Sequence, residues 1–453
     1  MARQLRHLVS QRVKGLWPLC MQLASFGGMN SLRSLPASFF HLLRDLSRRL
    51  SVRVALMGLL AILSLSLTQW LEPMVPPVMT SMVAGASVDR LLDIIANAML
   101  AVTLFSLTVM VSVYRSSSTQ WTPRVHQLIM QDAVTQNTLA AFIGAYVFAL
   151  VAIIMREIGL YSDQSAAVLF WTTVCVLAFV VWSLIRWTLH LQTLGSLIDT
   201  TRQVEQITSV QFRERLDTPC LGACPWDGDV PDNSWVITAK TSGYVTLVQA
   251  EALQIVAARH GVHLFLLVSV GSVVFLNAPV LRVTGTPKDK EALCSDVAKL
   301  LVLGDVRTYD QDPRFGLLVM SEIGCKALSP GINDPGTAID VLNRTTRILS
   351  LYKDETKGDA QPVCNRLHVR PLDPVDLIED GFAAISRDGT ASVEVQARLQ
   401  RALGALMHHP DPGLADAARD MARICLERAQ HAMTFERDMM RVLSKAPKDL
   451  QKS

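Results

Sequence analysis

Long apolar runs fill the first 190 positions of the chain and do not recur in the residues that follow. The runs cover residues 52–71, 94–114, 139–155 and 166–189, and none has a charged residue near its middle. About 20 apolar residues in a helix cross the roughly 30 Å of bilayer hydrocarbon. The pattern therefore predicts a transmembrane domain over residues 51–190 with four spanning helices.

The pattern changes after the fourth run. The pattern in residues 191–233 predicts a helical linker followed by a loop, and the pattern in residues 441–453 predicts a polar tail. Residues 234–286 alternate short β-branched runs with Gly or Pro turns, which predicts a small β-domain with barrel-sandwich-like spacing. Residues 287–440 predict a helical domain. The predicted fold class is thus a membrane α-helical protein with four transmembrane helices and a cytosolic α+β part.

Positive charge is concentrated ahead of the first run. Residues 1–53 contain nine Lys or Arg residues against one acidic residue, Asp45, although the whole chain carries a net charge of only +3. Cations favour the cytoplasmic side of a membrane, so both termini are predicted to be cytoplasmic. The leader, residues 1–50, is either an amphipathic helix on the membrane surface or a disordered tail. Nucleic acid is not an expected partner.

The polar groups inside the predicted spans are mostly Ser and Thr, without Asp, Glu, Lys or His deep in the hydrocarbon. Ion-coupled transporters use such buried charges, so their absence favours an anchoring bundle with hydrogen bonds between helices. A pore formed by several copies of the chain, lined by residues such as Ser106 and Thr108, stays open.

Cysteine spacing predicts neither disulfides nor a metal site. The eight cysteines are scattered, and those after the fourth run face a reducing compartment. Cys220 and Cys224 lie four residues apart, but no second Cys or His pair follows at zinc-ligand spacing. No metal or other cofactor is predicted.

Asp-Pro pairs mark the starts of four amphipathic runs in the helical domain. They stand at Asp312, Asp334, Asp373 and Asp411. An Asp side chain can accept from the first free N–H groups of a helix, and Pro at the first helical position gives up a donor without a partner. Each pair therefore predicts a capped helix start.

The densest polar pattern lies in residues 307–316, Arg-Thr-Tyr-Asp-Gln-Asp-Pro-Arg-Phe-Gly, and residues 327–335, Ala-Leu-Ser-Pro-Gly-Ile-Asn-Asp-Pro. With Gln-Trp-Thr-Pro-Arg at residues 120–124, this pattern resembles a family of bacterial predicted membrane proteins that share domain of unknown function 2254. The resemblance implies the four-span layout in a bacterial inner membrane and supplies no reaction. Glu322 departs from the family pattern, which leads us to expect Asp there.

Two interpretations of these segments stay open. In the first, seven residues converge around the 329–334 loop and bind a small anion, because Gly331 allows unusual backbone angles and helix N–H groups favour negative charge. These ligand-binding candidates are Arg307, Arg314, Glu322, Ser329, Gly331, Asn333 and Asp334. In the second, the Asp residues are caps and the Arg residues pair two helices. The recurrence of Asp-Pro outside the motif favours the second.

No hydrolase, metalloprotease or phosphate-loop motif occurs in the sequence, so no catalytic residue is predicted and an enzyme is not favoured. The sequence favours a regulatory or ligand-sensing membrane protein. An oligomeric channel or transporter and a membrane-bound enzyme using residues 307–334 are the alternatives. The expected partners are the lipid bilayer, further copies of the chain and a small anionic ligand.

Overall fold

The computed structural model describes residues 85–158, 166–229, 231–357 and 361–451, together with eight positions between 52 and 66. The predicted leader and most of the first predicted span lie outside these residues.

The membrane part contains four described helices: α1 (Gly85–Gln120), α2 (Pro123–Met130), α3 (Ala133–Glu157) and α4 (Ala166–Leu191). Among the described residues, three helical stretches are long and apolar enough to cross a membrane: Ser87–Gln120, Pro123–Glu157 and Val168–Leu191. They overlap the last three predicted spans. The predicted count of four is not confirmed, because the first span lies largely outside the described residues.

Helices α1, α3 and α4 pack against one another, and α3 is the most buried of the three. Its buried face is rich in small residues, including Ala141, Gly144, Ala145 and Ala149, which allow close approach of neighbouring helices. Large apolar side chains on α1 and α4, such as Phe105 and Trp182, are exposed, as side chains that face lipid would be.

Threonine hydroxyls in the spans bond within their own helices. Thr103, Thr108, Thr172 and Thr173 donate to the carbonyl four residues earlier, at 2.6, 2.9, 2.9 and 2.7 Å. The expected hydrogen bonds between helices are therefore not formed by these groups, because the local carbonyl is always within reach of the side chain.

The chain continues through α5 (Leu197–Asp217) and a 3₁₀ turn (Pro219–Gly222) into the β-domain. The elements up to residue 304 are β1 (Ala223–Pro225), β2 (Trp235–Thr238), β3 (Gly243–Val248), α6 (Ala250–His260), β4 (His263–Leu266), β5 (Val273–Val274), β6 (Pro279–Thr284), α7 (Lys290–Leu300) and β7 (Leu301–Gly304).

The remainder is mainly helical. Its elements are α8 (Pro313–Leu328), α9 (Pro335–Leu349), β8 (Cys364–Val369), α10 (Pro374–Ile378), a π turn (Glu379–Ala383), α11 (Ala384–Asp388), α12 (Val393–Leu406), α13 (Pro412–Ala432) and α14 (Glu436–Leu443). The four predicted caps are confirmed: Asp312, Asp334, Asp373 and Asp411 each accept from a backbone N–H two or three residues later.

Two sheets form the β-domain. One has five strands in the order β1-β8-β4-β6-β2, with β8 parallel to both neighbours, and the other has the antiparallel order β5-β3-β7. The expected barrel-sandwich arrangement is not confirmed. The strands also extend beyond residues 234–286, since β1 comes from the predicted linker and β7 and β8 from the predicted helical domain. Strand β8 contributes Cys364, Leu367 and Val369 to the β-domain core.

The core of the helical domain extends beyond the predicted limits at both ends. Val442, Ala446 and Leu450, in the stretch expected to be a polar tail, are buried in it. More importantly for function, Trp121, Val125 and Ile129 of the segment between α1 and α3 belong to the same core. The segment that links α1 and α3 is thus part of the interior of the helical domain.

Candidate functional site

The first motif segment, residues 307–316, forms a joint between the β-domain and α8. Arg307 makes a two-pronged ion pair with Asp312, at 2.6 and 3.0 Å, and Asp312 also caps α8 through the N–H of Phe315. Gly271, at φ +86°, lies against this pair: a Cβ there would be 2.1 Å from Oδ2 of Asp312. A residue larger than glycine would therefore displace the pair.

Gln311 extends the joint in two directions. Its amide accepts from the N–H of Val248 at 3.0 Å and donates to the same residue's carbonyl at 3.3 Å, which ties it to the end of β3. Its own backbone N–H donates to Gln211 of α5 at 2.9 Å. These contacts explain the left-handed backbone of Gln311, at φ +58°.

The segment at residues 120–124 also docks on α8. Arg124 forms an ion pair with Glu322, and its guanidinium lies 5.9 Å from the ring centroid of Phe315. Arg307 contacts the same ring at 5.3 Å. Two of the three motif segments therefore meet at Phe315.

Arg314 pairs with the helix that follows β8. Its side chain donates to Asp376 and, at 2.7 Å, to Asp380 of the π turn. Arg314 therefore joins two helical stretches, as the pairing interpretation expects, whereas Arg307 pairs within its own segment with the cap of α8.

The 329–334 loop is an exposed turn whose polar groups are occupied locally. The carbonyl of Ser329 accepts from the N–H groups of Ile332 and Asn333, both at 2.9 Å, and the N–H of Asp334 donates to Ala327 at 2.8 Å. Asp334 accepts from the N–H of Thr337 at 3.1 Å, so the N–H group expected to meet an anion is already capped.

The expectation for Gly331 was wrong in one respect. Gly331 does not adopt a positive φ, whereas Asn333 does, at +51°. Asn is one of the few side chains that accept this conformation at modest cost, so it supplies the turn that glycine was expected to supply.

The seven candidates therefore do not form one cluster. Arg314 and Glu322 line a single groove of about 620 Å³, whereas residues 329–334 line neither this groove nor the second cavity described below. Arg307 is engaged with Asp312. Which of the seven bind a ligand stays a prediction.

The Arg314 groove, as we call it, runs between α8 and the helical stretch that contains the π turn. Arg314, Leu318, Ser321, Glu322 and Cys325 line one wall at helical spacing, while Asp380, Ala383 and Arg428 contribute to the other. Sequence reasoning missed Ser321, Asp380 and Arg428. The periodicity of α8 pointed to Ser321, but nothing local placed the other two opposite it.

Charge and burial in the Arg314 groove argue against a cysteine nucleophile. Burial raises the pKa of the Cys325 thiol to about 12, so the thiol is protonated at neutral pH. Among the described residues, no group of three or more His, Cys, Asp or Glu side chains is arranged to hold a metal ion.

A second cavity, of about 650 Å³, lies between the β-domain and the helical domain. The capped starts of α8, α10 and α13 face it, and Arg370, stacked 5.0 Å from Trp226, lines its β-domain side. Beside it, Glu355 is fully buried and accepts from Arg215 at 2.5 and 3.0 Å and from the N–H of Leu372 at 2.7 Å. Sequence reasoning also missed this pair, whose members lie far apart in the chain.

Comparison with known proteins identifies relatives without assigning a reaction. A family described as predicted membrane protein, domain of unknown function 2254, matches residues 47–405. Uncharacterised proteins of Mycobacterium bovis and Mycobacterium tuberculosis are each 25% identical to the chain over 360 residues, which is 76% of this chain and 68% of each relative. No solved structure matches the chain. The family match includes all three motif segments that meet on or beside α8, and the chain therefore belongs to the domain of unknown function 2254 family of predicted membrane proteins.

Proposed function

We propose that this membrane protein is regulatory: its cytosolic domain senses a small ligand and is coupled to the membrane helices through α2. The observation that carries the proposal is the burial of Trp121, Val125 and Ile129 in the same core as Phe315 and Ile323 of α8. A segment packed at interior density transmits displacement instead of absorbing it. A change at α8 should therefore move the ends of α1 and α3.

Further contacts support this coupling. The hydroxyl of Tyr114, near the end of α1, donates to the carbonyl of Met130 at 3.3 Å. His190, at the end of α4, bonds Asp132, the cap of α3, at 2.8 Å. The three spanning helices and α2 are thus tied together on the side that faces the cytosolic domain.

The packing of α2 also supports the proposed orientation of the chain in the membrane. Arg156, near the end of α3, pairs at 2.5 Å with Asp89, near the start of α1. Both residues lie at the helix ends that are farther from α2. The α2 segment packs into the core of the helical domain that follows α4, which supports placing the two on one side of the membrane. Together with the basic residues before the first predicted span, this supports an inner-membrane protein with both termini in the cytoplasm. Proteolysis of spheroplasts that trimmed the C-terminal region from outside would contradict it.

The coupling is tested by hydrogen exchange of the full chain in lipid nanodiscs. Glu322→Gln removes the charge that pairs with Arg124, so we expect faster exchange in α2 and at the end of α1. Glu379→Gln, an exposed acid on the facing wall of the Arg314 groove, is the matched control and should leave both segments unchanged. Unchanged exchange in α2 with Glu322→Gln would overturn the coupling.

The alternatives give different results in other assays. An oligomeric channel predicts ion flux in reconstituted vesicles that is lost with Ser106→Ala or Thr108→Ala, whereas the regulatory proposal predicts no flux from the chain alone. The bonding of Thr108 to its own helix supports the latter. A membrane-bound enzyme predicts turnover that depends on Glu322.

A further inference from the structure

We propose that the Arg314 groove binds a small zwitterion of the free amino acid type, with its ammonium group at Glu322 and its carboxylate at Arg428. This inference rests on the proposed function and names the ligand class of that sensor. The groove contains two buried oxygen atoms without a hydrogen-bond partner, on Ser321 and Glu322, and one arginine, Arg428, without a carboxylate partner among the described residues. The carboxylate of Glu322 attracts a positive group and the guanidinium of Arg428 attracts a negative one.

Ser321 is the first of these groups. The residue is 2% exposed, lines the groove, and its hydroxyl has no hydrogen-bond partner among the described residues. A serine inside a helix commonly donates to the carbonyl four residues earlier, as several threonines of this chain do. A buried hydroxyl without a partner is unfavourable, so a polar group of a ligand that enters the groove would be stabilised by this position.

Glu322 is the second. One carboxylate oxygen pairs with Arg124, while the other, Oε2, is buried and has no hydrogen-bond partner among the described residues. An ionised carboxylate can accept several hydrogen bonds, and Oε2 of Glu322 accepts none from the described residues. The group suited to it is a strong donor such as an ammonium, since a charge-assisted hydrogen bond is stronger than a neutral one.

Arg428 places a positive charge on the wall of the groove opposite Glu322. Its Nη1 donates to the carbonyl of Ala383, at the end of the π turn, at 3.0 Å and to the hydroxyl of Ser386 at 3.3 Å. These contacts fix its position, yet no carboxylate pairs with it among the described residues. Arg314, by contrast, is already engaged by Asp376 and Asp380. Arg387, the third arginine of the lining, pairs with Asp388 at 3.0 Å. Arg428 is therefore the lining guanidinium that is left to donate to an anionic group.

Simpler ligands satisfy only part of this arrangement. An anion would leave Oε2 of Glu322 without a donor and place a like charge near it, and a cation would leave Arg428 without an acceptor. A zwitterion satisfies both. The volume of about 620 Å³ leaves room for a ligand side chain beside Leu318, Ala383 and Ala384.

Binding is tested with the full chain in detergent by thermal unfolding and calorimetry. The probes are an equimolar mixture of free amino acids, followed by single amino acids, with acetate alone and ethylamine alone at the same concentration. We expect at least one amino acid to raise the melting temperature and both single-charge probes to have no effect. Stabilisation by acetate alone or ethylamine alone, or by no amino acid, would overturn the proposal.

Variants distinguish the groove from other sites. Ser321→Ala removes an unpartnered hydroxyl and should fold normally while weakening amino acid binding roughly tenfold, the equivalent of one hydrogen bond to a charged group. Thr345→Val is the matched control, because Thr345 is also fully buried with an unpartnered hydroxyl but does not line the groove. Equal affinities of the two variants would show that the Ser321 hydroxyl does not contact the amino acid, and would overturn the proposed site.

The two proposals can fail separately. If exchange in α2 responds to Glu322→Gln but no amino acid binds, the coupling stands and the zwitterion site is rejected. If an amino acid binds but α2 does not respond, the site stands and the coupling is rejected.

Discussion

Gly316 ends the first motif segment and lies where α8 packs closely against α5. A Cβ at this position would lie 2.1 Å from the hydroxyl oxygen of Thr208 on α5. We expect Gly316→Ala to lower the free energy of unfolding by about 1–3 kcal/mol, because one of the two helices must shift. Denaturant unfolding of the full chain in detergent measures this. Gly331→Ala, where a Cβ meets nothing within 4 Å, is the control and should change stability little.

Two histidines on neighbouring strands give the β-domain a pH dependence. Nδ1 of His263 lies 3.3 Å from Nε2 of His368, whose ring stacks on Phe265 at 4.2 Å. Burial, together with nearby His263, lowers the pKa of His368. The folded state therefore favours the neutral ring, so this contribution to stability is present above the unfolded pKa of about 6.5 and is lost as pH falls through the lower folded pKa.

The corresponding experiment compares the wild type with His368→Gln between pH 8 and pH 5. We expect the melting temperature of the wild type to fall more steeply below about pH 6.5 than that of the variant. Parallel curves would show that His368 has the same pKa in the folded and unfolded chain.

At the scale of elements, α2 should stabilise the helical domain although it lies between two helices that are long and apolar enough to span a membrane. Ile129 is 4% exposed and packs in the domain core. We expect Ile129→Ala to lower the unfolding free energy by roughly 2–5 kcal/mol and to speed proteolysis of α8 and α9. Gln127→Ala, on the exposed face of the same helix, is the matched control. Equal effects of both changes would mean that α2 only lies against the domain.

Elements with local causes were predictable from the sequence. Each Asp-Pro start follows from a hydrogen bond that closes within three residues, and the described spans follow from uninterrupted apolar length. Strand β8 was not predictable, because a six-residue run acquires its strand identity from pairing with β4 and β1, which lie far away in the chain. The candidate site had the same limit: Arg314 and Glu322 were recognised on one helix, but Asp380 and Arg428 reach them only through tertiary packing.

At the scale of the whole molecule, a buried ion pair fastens α5 to the loops on both sides of β8. Glu355 is fully buried and accepts from Arg215, from the N–H of Leu372 and, at 3.2 Å, from the N–H of Cys220. We expect Glu355→Gln to cost roughly 3–5 kcal/mol, because it leaves the Arg215 charge buried without a counter-charge. Lys357→Ala, which removes an exposed pair in the same segment, should cost less than about 1 kcal/mol. Similar losses for the two variants would contradict this role of the pair.

The position of Trp121, Val125 and Ile129 has a practical consequence for anyone who would study the C-terminal region by itself. A fragment that starts after the last spanning helix would keep α8 and α9 but lack three buried side chains of the core to which both helices belong. Its apolar surface would face water, and we expect such a fragment to aggregate unless a peptide corresponding to residues 120–131 is supplied. The segment between α1 and α3 thus belongs to the same core as the helical domain.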